Sequence, residues 1–255
     1  MLNLQGKVAA VFGLANKRSI AWGIAQKLHE AGAKLAISYQ NERMKAEAEG
    51  LILDLPGAEP FQCDVSNDAE IEQVFAKLKE RYGKLDVLVH CIAYAPAEDL
   101  KNDFLQTTRD GFRIAHDVSV YSLIALCRGA APLMTEGGSV ITLSYYGAEK
   151  VVPHYKVMGV AKAALEATVR YLAWDLGRQN VRVNAISAGP IKTLAARGIG
   201  AMGDMLKAAA DRAPLKRNVD QLEVGGAALF LASDLSSAIT GETIYVDCGY
   251  NIMGF

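Results

Sequence analysis

The stretch "SYYGAEKVVPHYKVMGVAK", from Ser144 to Lys162, sets tyrosine and lysine at two spacings that could support proton chemistry. A lysine cation beside a tyrosine favours the phenolate and draws the phenol below its unperturbed pKa of about 10. Tyr146 and Lys150 are four residues apart, and Tyr155 and Lys162 are seven apart. Tyr146 lies just past a strand-like run, with Gly147 behind it and Pro153 ahead. That reads as a loop, which makes the Tyr146/Lys150 spacing accidental. The helix is predicted to begin after Pro153 and to run through "YKVMGVAKAALEATVRYLAWDLG". On a helix, seven residues at about 3.6 per turn return to nearly the same azimuth, and side chains lean toward the N-terminus. Tyr155 and Lys162 then share one face, and Gly159 between them leaves room for a flat ligand. Tyr145, at the strand end, could point into the same crevice. His154 abuts the pair without a visible carboxylate partner and reads as structural.

The elements that would position these side chains follow from hydrophobic patterning. Strand-like runs occur at 7–13, 34–39, 59–65, 85–93, 139–145, 181–189 and 243–249. They are near-continuously apolar, as strands buried on both faces are, so a parallel sheet is expected. Helical patterns lie between them. In "NDAEIEQVFAKLKERYG", for instance, Ile71, Val74, Phe75 and Leu78 form one stripe with charges opposite. This alternation predicts an α/β fold: one doubly wound, Rossmann-type parallel sheet of about seven strands, with helices on both faces. No Pro/Gly/Ser linker divides residues 1–255, so one domain is expected. The segment 191–214 breaks the rhythm after a strand end and carries Gly198, Gly200 and Gly203. It reads as a lid, because ligands sit at the carboxyl ends of such strands. Ile199, Met202, Met205 and Leu206 could supply apolar cover.

A nucleotide site is suggested at the same end of the sheet. The first strand ends at Gly13 and a helix opens near Ser19. Such a turn can bring backbone N–H groups to a pyrophosphate at a helix N-terminus. Ser19 is placed to cap the helix or to donate to phosphate. Gly23 would let helix and strand pack closely, although the turn departs from the strict Gly-x-Gly-x-x-Gly pattern. The second strand ends in Tyr39-Gln40, where the residue meeting the adenosine ribose would lie. Asp64, in "CDV", could accept a bond from an adenine amine or could be a turn aspartate opening the next helix. Cys91 and Ala93 are small enough for the chain to run close to a cofactor. Gln40 is neutral, Glu42 would repel a 2′-phosphate, and Arg43 is the nearest cation. NADH is therefore expected over NADPH.

Composition excludes several classes. The 255 residues are 51% hydrophobic with a net charge of −1. That length can bury roughly three quarters of the unfolded surface. No basic stripe suggests nucleic acid. The four cysteines and four histidines lack metal-ligand spacing, so no metal is expected, and reduced thiols fit a cytoplasmic protein. There is no signal-peptide pattern and no apolar run of membrane-spanning length.

Gly13 followed by "SIAWGIA", then "CDV", "HCIA", "IAHDVS", the 144–162 stretch, "NAISAGPIKT" and "ITGETIYVDCG" together resemble the bacterial enoyl-acyl-carrier-protein reductases. These are a divergent branch of the short-chain dehydrogenase/reductases, with a Tyr-x6-Lys spacing in place of Tyr-x3-Lys, and the resemblance covers nearly the whole chain. It implies an NADH-dependent reduction of trans-2-enoyl thioesters on acyl carrier protein, in fatty-acid elongation, by a homotetramer. It implies that Tyr155 contacts the thioester carbonyl oxygen, that Lys162 holds the nicotinamide ribose and supplies charge, and that Tyr145 is an additional active-site tyrosine. It places Gly13, Ser19, Ile20, Gln40, Asp64, Val65, Ile92 and Thr193 along the cofactor, with Ile191 and Thr193 near the nicotinamide. Two departures stand out. Tyr146 occupies a position where relatives commonly carry leucine. The lid reads "GIGAMGD" where several relatives have basic residues thought to meet the carrier, although Arg197, Lys207, Arg212, Lys216 and Arg217 are near.

Two other readings use the same residues. One is an ordinary carbonyl reductase or alcohol dehydrogenase working through Tyr146 and Lys150. The other is a dinucleotide-binding regulator without turnover.

Overall fold

The computed structural model describes residues 2–193 and 202–254. Its strands are β1 (Val8–Phe12), β2 (Lys34–Tyr39), β3 (Glu59–Gln62), β4 (Val87–His90), β5 (Gly138–Ser144), β6 (Val181–Ala188) and β7 (Thr243–Val246). The helices among the described residues are α1 (Ile20–Glu30), α2 (Glu42–Ile52), α3 (Asp68–Tyr82), α4 (Ala97–Lys101), α5 (Arg109–His116), α6 (Ser122–Ala130), α7 (Val157–Gly177), α8 (Met202–Arg212) and α9 (Gln221–Ala232). The strands form one parallel sheet in the order β3-β2-β1-β4-β5-β6-β7. All seven expected strands are present, most of them shorter than the apolar runs that announced them.

Successive side chains on a strand point to opposite faces, and both faces of this sheet are covered. Val8, Ala10 and Phe12 of β1 join Ile71, Phe75, Leu126, Leu165 and Val169 from α3, α6 and α7 in one core. Ala9 and Val11 join Ile24, Leu28, Leu51, Val224 and Leu231 from α1, α2 and α9 in the other. The stripe predicted for α3 is the buried one, Ile71, Val74, Phe75 and Leu78. β3 is an edge strand, and its residues alternate between half-buried and exposed.

The order reverses between β1 and β4, which opens a crevice at the carboxyl ends of the strands there. Gly13 makes this junction possible. Its φ is +99°, and a Cβ on it would lie 2.2 Å from the Cys91 carbonyl oxygen. The Cys91 N–H donates to the Phe12 carbonyl at 2.9 Å, which ties the two strand ends together.

Gly23 acts differently from its expected role. A Cβ there would meet the Gln221 carbonyl oxygen at 2.2 Å, and a Cβ on Gly225 would meet the Gly23 carbonyl at 2.4 Å. The closest approach is between helices α1 and α9.

Candidate active site

β5 delivers the site. Its burial runs unbroken from Ser139 to Ser144, and the chain then turns out at Tyr145. Residues 146–148 form a single 3₁₀ turn instead of the expected open loop, and the Lys150 N–H closes onto the Tyr146 carbonyl at 3.1 Å. Lys150 is nonetheless exposed. The Tyr146 ring meets Tyr245 and Tyr250 edge-on, at 6.4 and 5.8 Å between centroids.

α7 starts later than the sequence predicts, at Val157. His154 and Lys156 both have positive φ, 68° and 46°, so Tyr155 sits on a turn ahead of the helix. The Lys156 ammonium holds this turn by donating to the carbonyls of Lys101, at 2.7 Å, and Asn102 at the end of α4. The same-face argument for Tyr155 and Lys162 is therefore corrected. What they share is the end of β5. The Tyr155 ring, 8% exposed, packs edge to face on Tyr145 at 4.8 Å. Lys162, 4% exposed, donates to the Leu143 carbonyl at 2.6 Å.

Gly159 is corrected too. A Cβ there would lie 2.8 Å from the Gly147 carbonyl, and a Cβ on Gly147 would lie 2.5 Å from the Tyr155 ring. These glycines let the 145–148 turn pack against α7 and Tyr155. His154 is exposed.

Burial sets the electrostatics. It drives the Tyr155 phenol well above its usual pKa, with Tyr145 adding to the effect, which favours the neutral phenol. Tyr145 is pushed up to about 12, again mainly by burial. Lys162 is pushed down to about 8 by burial, with Cys91 and Glu166 acting in the opposite direction. An ammonium carries three N–H donors, and Leu143 uses one, so Lys162 keeps donors for a ligand.

Two neighbours escaped the sequence reading. His90 is wholly buried, with Nδ1 and Nε2 each 2.8 Å from the hydroxyls of Thr142 and Ser122. Burial, helped by Lys162, holds it neutral at about 3. Glu166 accepts a hydrogen bond from Ser144 Oγ. Its place one helical turn beyond Lys162 was the only signal in the sequence.

The residues expected along a cofactor lie around the crevice by topology. Ser19 is the N-cap of α1: its Oγ accepts from the Trp22 N–H at 3.2 Å and donates to the Asn16 carbonyl at 2.7 Å. Its hydroxyl hydrogen is thus engaged, and Ile20 opens the helix behind it. Gln40 follows β2 and donates to Asp64 at 3.2 Å. Asp64 also takes the N–H and hydroxyl of Ser66, the turn geometry that was its alternative reading. Burial pushes its carboxyl up, but these bonds outweigh that and hold it below the usual carboxylate value. Val65 is buried beside it. Ile92 follows β4. Ile191 and Thr193 follow β6, joined by a bond of 2.8 Å from the Thr193 N–H to the Ile191 carbonyl. Of the predicted lid, Met202–Arg212 is helix α8. Residues 194–201, including Arg197 and Ile199, lie outside the described residues.

A nicotinamide dinucleotide fits this end of the sheet. Gly13 keeps the junction free of a Cβ, the capped N-terminus of α1 faces the turn, and a buried lysine has donors to spare. A doubly wound sheet with a tyrosine and a lysine at the end of its fifth strand defines a reductase of the short-chain dehydrogenase class. Comparisons with known proteins narrow this. The family model for enoyl-(acyl carrier protein) reductase matches residues 13–251. An enoyl-acyl-carrier-protein reductase (NADH) of Nostoc sp. is 56% identical over 100% of both chains. One from Staphylococcus aureus, named for NADPH, is 51% identical over 98% of this chain and 99% of its own. The crystal structure of the Bacillus cereus enzyme with NADP+ and indole naphthyridinone superposes with a TM-score of 0.98, at 51% identity over 100% of both chains. The chain belongs to the enoyl-acyl-carrier-protein reductases and is an oxidoreductase.

Proposed function

We propose that this protein reduces trans-2-enoyl thioesters on acyl carrier protein to saturated acyl thioesters, using NADH, in fatty-acid elongation. The observation that carries the reading is the buried Tyr155 hydroxyl beside Tyr145 and the buried Lys162, all at the end of β5. NADH, when bound, would supply the hydride for the β-carbon of the conjugated alkene. Negative charge then collects on the thioester oxygen, where Tyr155 donates a hydrogen bond to it, and a proton taken up from solvent at the α-carbon completes the saturated thioester. One aimed donor to such an oxygen is worth about 2.7–4 kcal/mol, or about 10²–10³ in rate. Lys162 stabilises the same charge and binds the nicotinamide ribose, and Tyr145 orients Tyr155. Gly13, Ser19, Ile20, Gln40, Asp64, Val65, Ile92, Ile191 and Thr193 form the remaining cofactor contacts.

The Tyr146/Lys150 alternative is disfavoured because Tyr146 faces Tyr245 and Tyr250 while Lys150 is exposed. In the same reading, 191–214 is a substrate lid, supported by the apolar Met202, Met205 and Leu206 on α8. Lys207 and Arg212 are offered to the acidic carrier. Arg217 is already paired with Glu223 at 2.6 and 2.8 Å. A homotetramer is supported by exposed aromatic side chains on α7, Tyr171 and Trp174. A cytoplasmic location is supported by four free thiols. Among the described residues no helix is long and apolar enough to cross a membrane.

The test follows NADH absorbance with crotonyl and longer enoyl thioesters, and in parallel with β-ketoacyl thioesters. Oxidation with the enoyl series alone is expected. Oxidation with the ketoacyl series alone would select the carbonyl-reductase reading, and none with either would select the regulator.

A further inference from the structure

The residue after Tyr155 occupies a backbone position that suits glycine. The Met158 N–H donates to the Tyr155 carbonyl at 3.0 Å and closes a four-residue turn, with Lys156 as its second member. The Lys156 φ of 46° and ψ of −120° are those of a type II′ turn. Glycine reaches this conformation freely, whereas a residue with a Cβ is disfavoured in it. A lysine stays there only where contacts outside the turn hold it.

Those contacts lie on α4. The Lys156 ammonium donates to the carbonyls of Lys101, at 2.7 Å, and Asn102. Both stand at the C-terminus of α4, where carbonyls lack partners along the helix. α4 is itself anchored. The Asp99 carboxylate, 5% exposed, accepts from the Thr108 N–H at 2.7 Å and from its hydroxyl at 3.2 Å. Thr108 caps α5, and Gly111 of α5 lies so close to Asp99 that it has no room for a Cβ. On the other side of the turn, the Tyr155 ring rests on Tyr145. We infer that Lys156 is a positioning residue: its ammonium, tethered to the α4 carbonyls, holds the II′ turn that aims the Tyr155 hydroxyl. That aim matters to turnover because Tyr155 is assigned as the oxyanion donor, so the role rests on the proposed function.

Two variants remove the same hydrogen bonds with opposite consequences for the backbone. Lys156→Met keeps a Cβ and an apolar stem but loses the ammonium, so the turn relaxes away from positive φ and carries Tyr155 with it. Lys156→Gly also loses the ammonium, but glycine adopts the turn unaided. The experiment measures kcat with an enoyl thioester, the NADH dissociation constant and amide hydrogen exchange of residues 152–159 for the parent and both variants. Thermal midpoints are recorded alongside. Lys156 is only half-buried, so both variants should fold with midpoints near that of the parent. Lys156→Met should lower kcat about 5-fold or more, the smallest bias expected against such a backbone. Its 152–159 segment should exchange faster, and its NADH affinity should stay near that of the parent. Lys156→Gly should keep kcat within about 2-fold of the parent. A parent-like kcat in Lys156→Met, equal losses of kcat in the two variants, or a loss of NADH affinity matching the loss of kcat overturns the role. A parent that does not oxidise NADH with enoyl thioester overturns the functional reading, and the exchange rates alone then decide whether the ammonium holds the turn.

Discussion

The rings of Tyr145 and Tyr155 meet edge to face, with centroids 4.8 Å apart and planes at 73°. The contact joins a strand end to a turn on which two non-glycine residues have positive φ. Such backbone costs on the order of 1–3 kcal/mol per residue and persists only where its surroundings enforce it. Here Tyr145, Gly147 and the Lys156 ammonium do so. Tyr145→Phe keeps the ring contact and should lose less turnover than Tyr155→Phe. Tyr145→Leu removes an edge-to-face contact worth about 0.5–1.5 kcal/mol and should lower kcat further. Equal kcat for the two Tyr145 variants would show that the ring contact does not position Tyr155.

The α1–α9 crossing leaves no room for a methyl group. Gly23→Ala would place Cβ 2.2 Å from the Gln221 carbonyl. Overpacking of this kind should cost about 2–3 kcal/mol. Urea unfolding of the parent and the variant checks it. A loss below about 0.5 kcal/mol, ordinary for a surface change, would mean that the helices separate freely.

His90 makes stability depend on pH. Its native pKa is held at about 3, against about 6.5 in an unfolded chain. Between those values the unfolded state binds a proton that the native state refuses. Stability from this group is therefore full above pH about 6.5 and falls on acidification toward 3, by up to about 1.4 kcal/mol per pH unit. Denaturation series at pH 6.5, 5.5 and 4.5 should show this fall, and His90→Gln should reduce its slope by up to one proton. An identical slope in the variant would remove His90 as its source.

Under the proposed function, cofactor choice falls to the residues that follow β2. Gln40 is committed to Asp64, and Lys45 is drawn onto Glu42 at 3.2 Å. On that reading Glu42 stands near the ribose 2′ position, its charge partly offset by Lys45, and repulsion discriminates more firmly than a missing attraction. The expected kcat/KM favours NADH at least 10-fold, about 1.4 kcal/mol. Relatives named for NADPH or crystallised with NADP+ exist at similar identity, so steady-state kinetics with both cofactors at moderate salt is informative. A preference for NADPH would mean that Arg43 or Lys45 reaches the phosphate.

The sheet, its parallel sense and the stripe of α3 were legible because burial on both faces leaves apolar runs that local composition cannot hide. The reason the sequence offered for preferring Tyr155 over Tyr146 needs correction. Helical periodicity put Tyr155 on α7, whereas the positive φ of His154 and Lys156 holds it on a turn. That conformation depends on Lys156 reaching α4, a contact 55 residues away in the chain. Gly23 and Gly159 were recognised as needing small size and Gly147 only as a loop residue, and which atom each must clear depends on tertiary neighbours. The Ser144–Glu166 bond and the burial of His90 are long-range for the same reason.

The pairing of Tyr155 with Lys162 as the working site is tested most directly by NADH oxidation with an enoyl thioester in two single variants. Tyr155→Phe should lower kcat 10-fold or more, on the loss of one oxyanion donor worth about 10²–10³ at full strength, with the NADH dissociation constant nearly unchanged. Tyr146→Phe should retain most of the parent rate. Loss of turnover in Tyr146→Phe, with Tyr155→Phe active, would contradict the account.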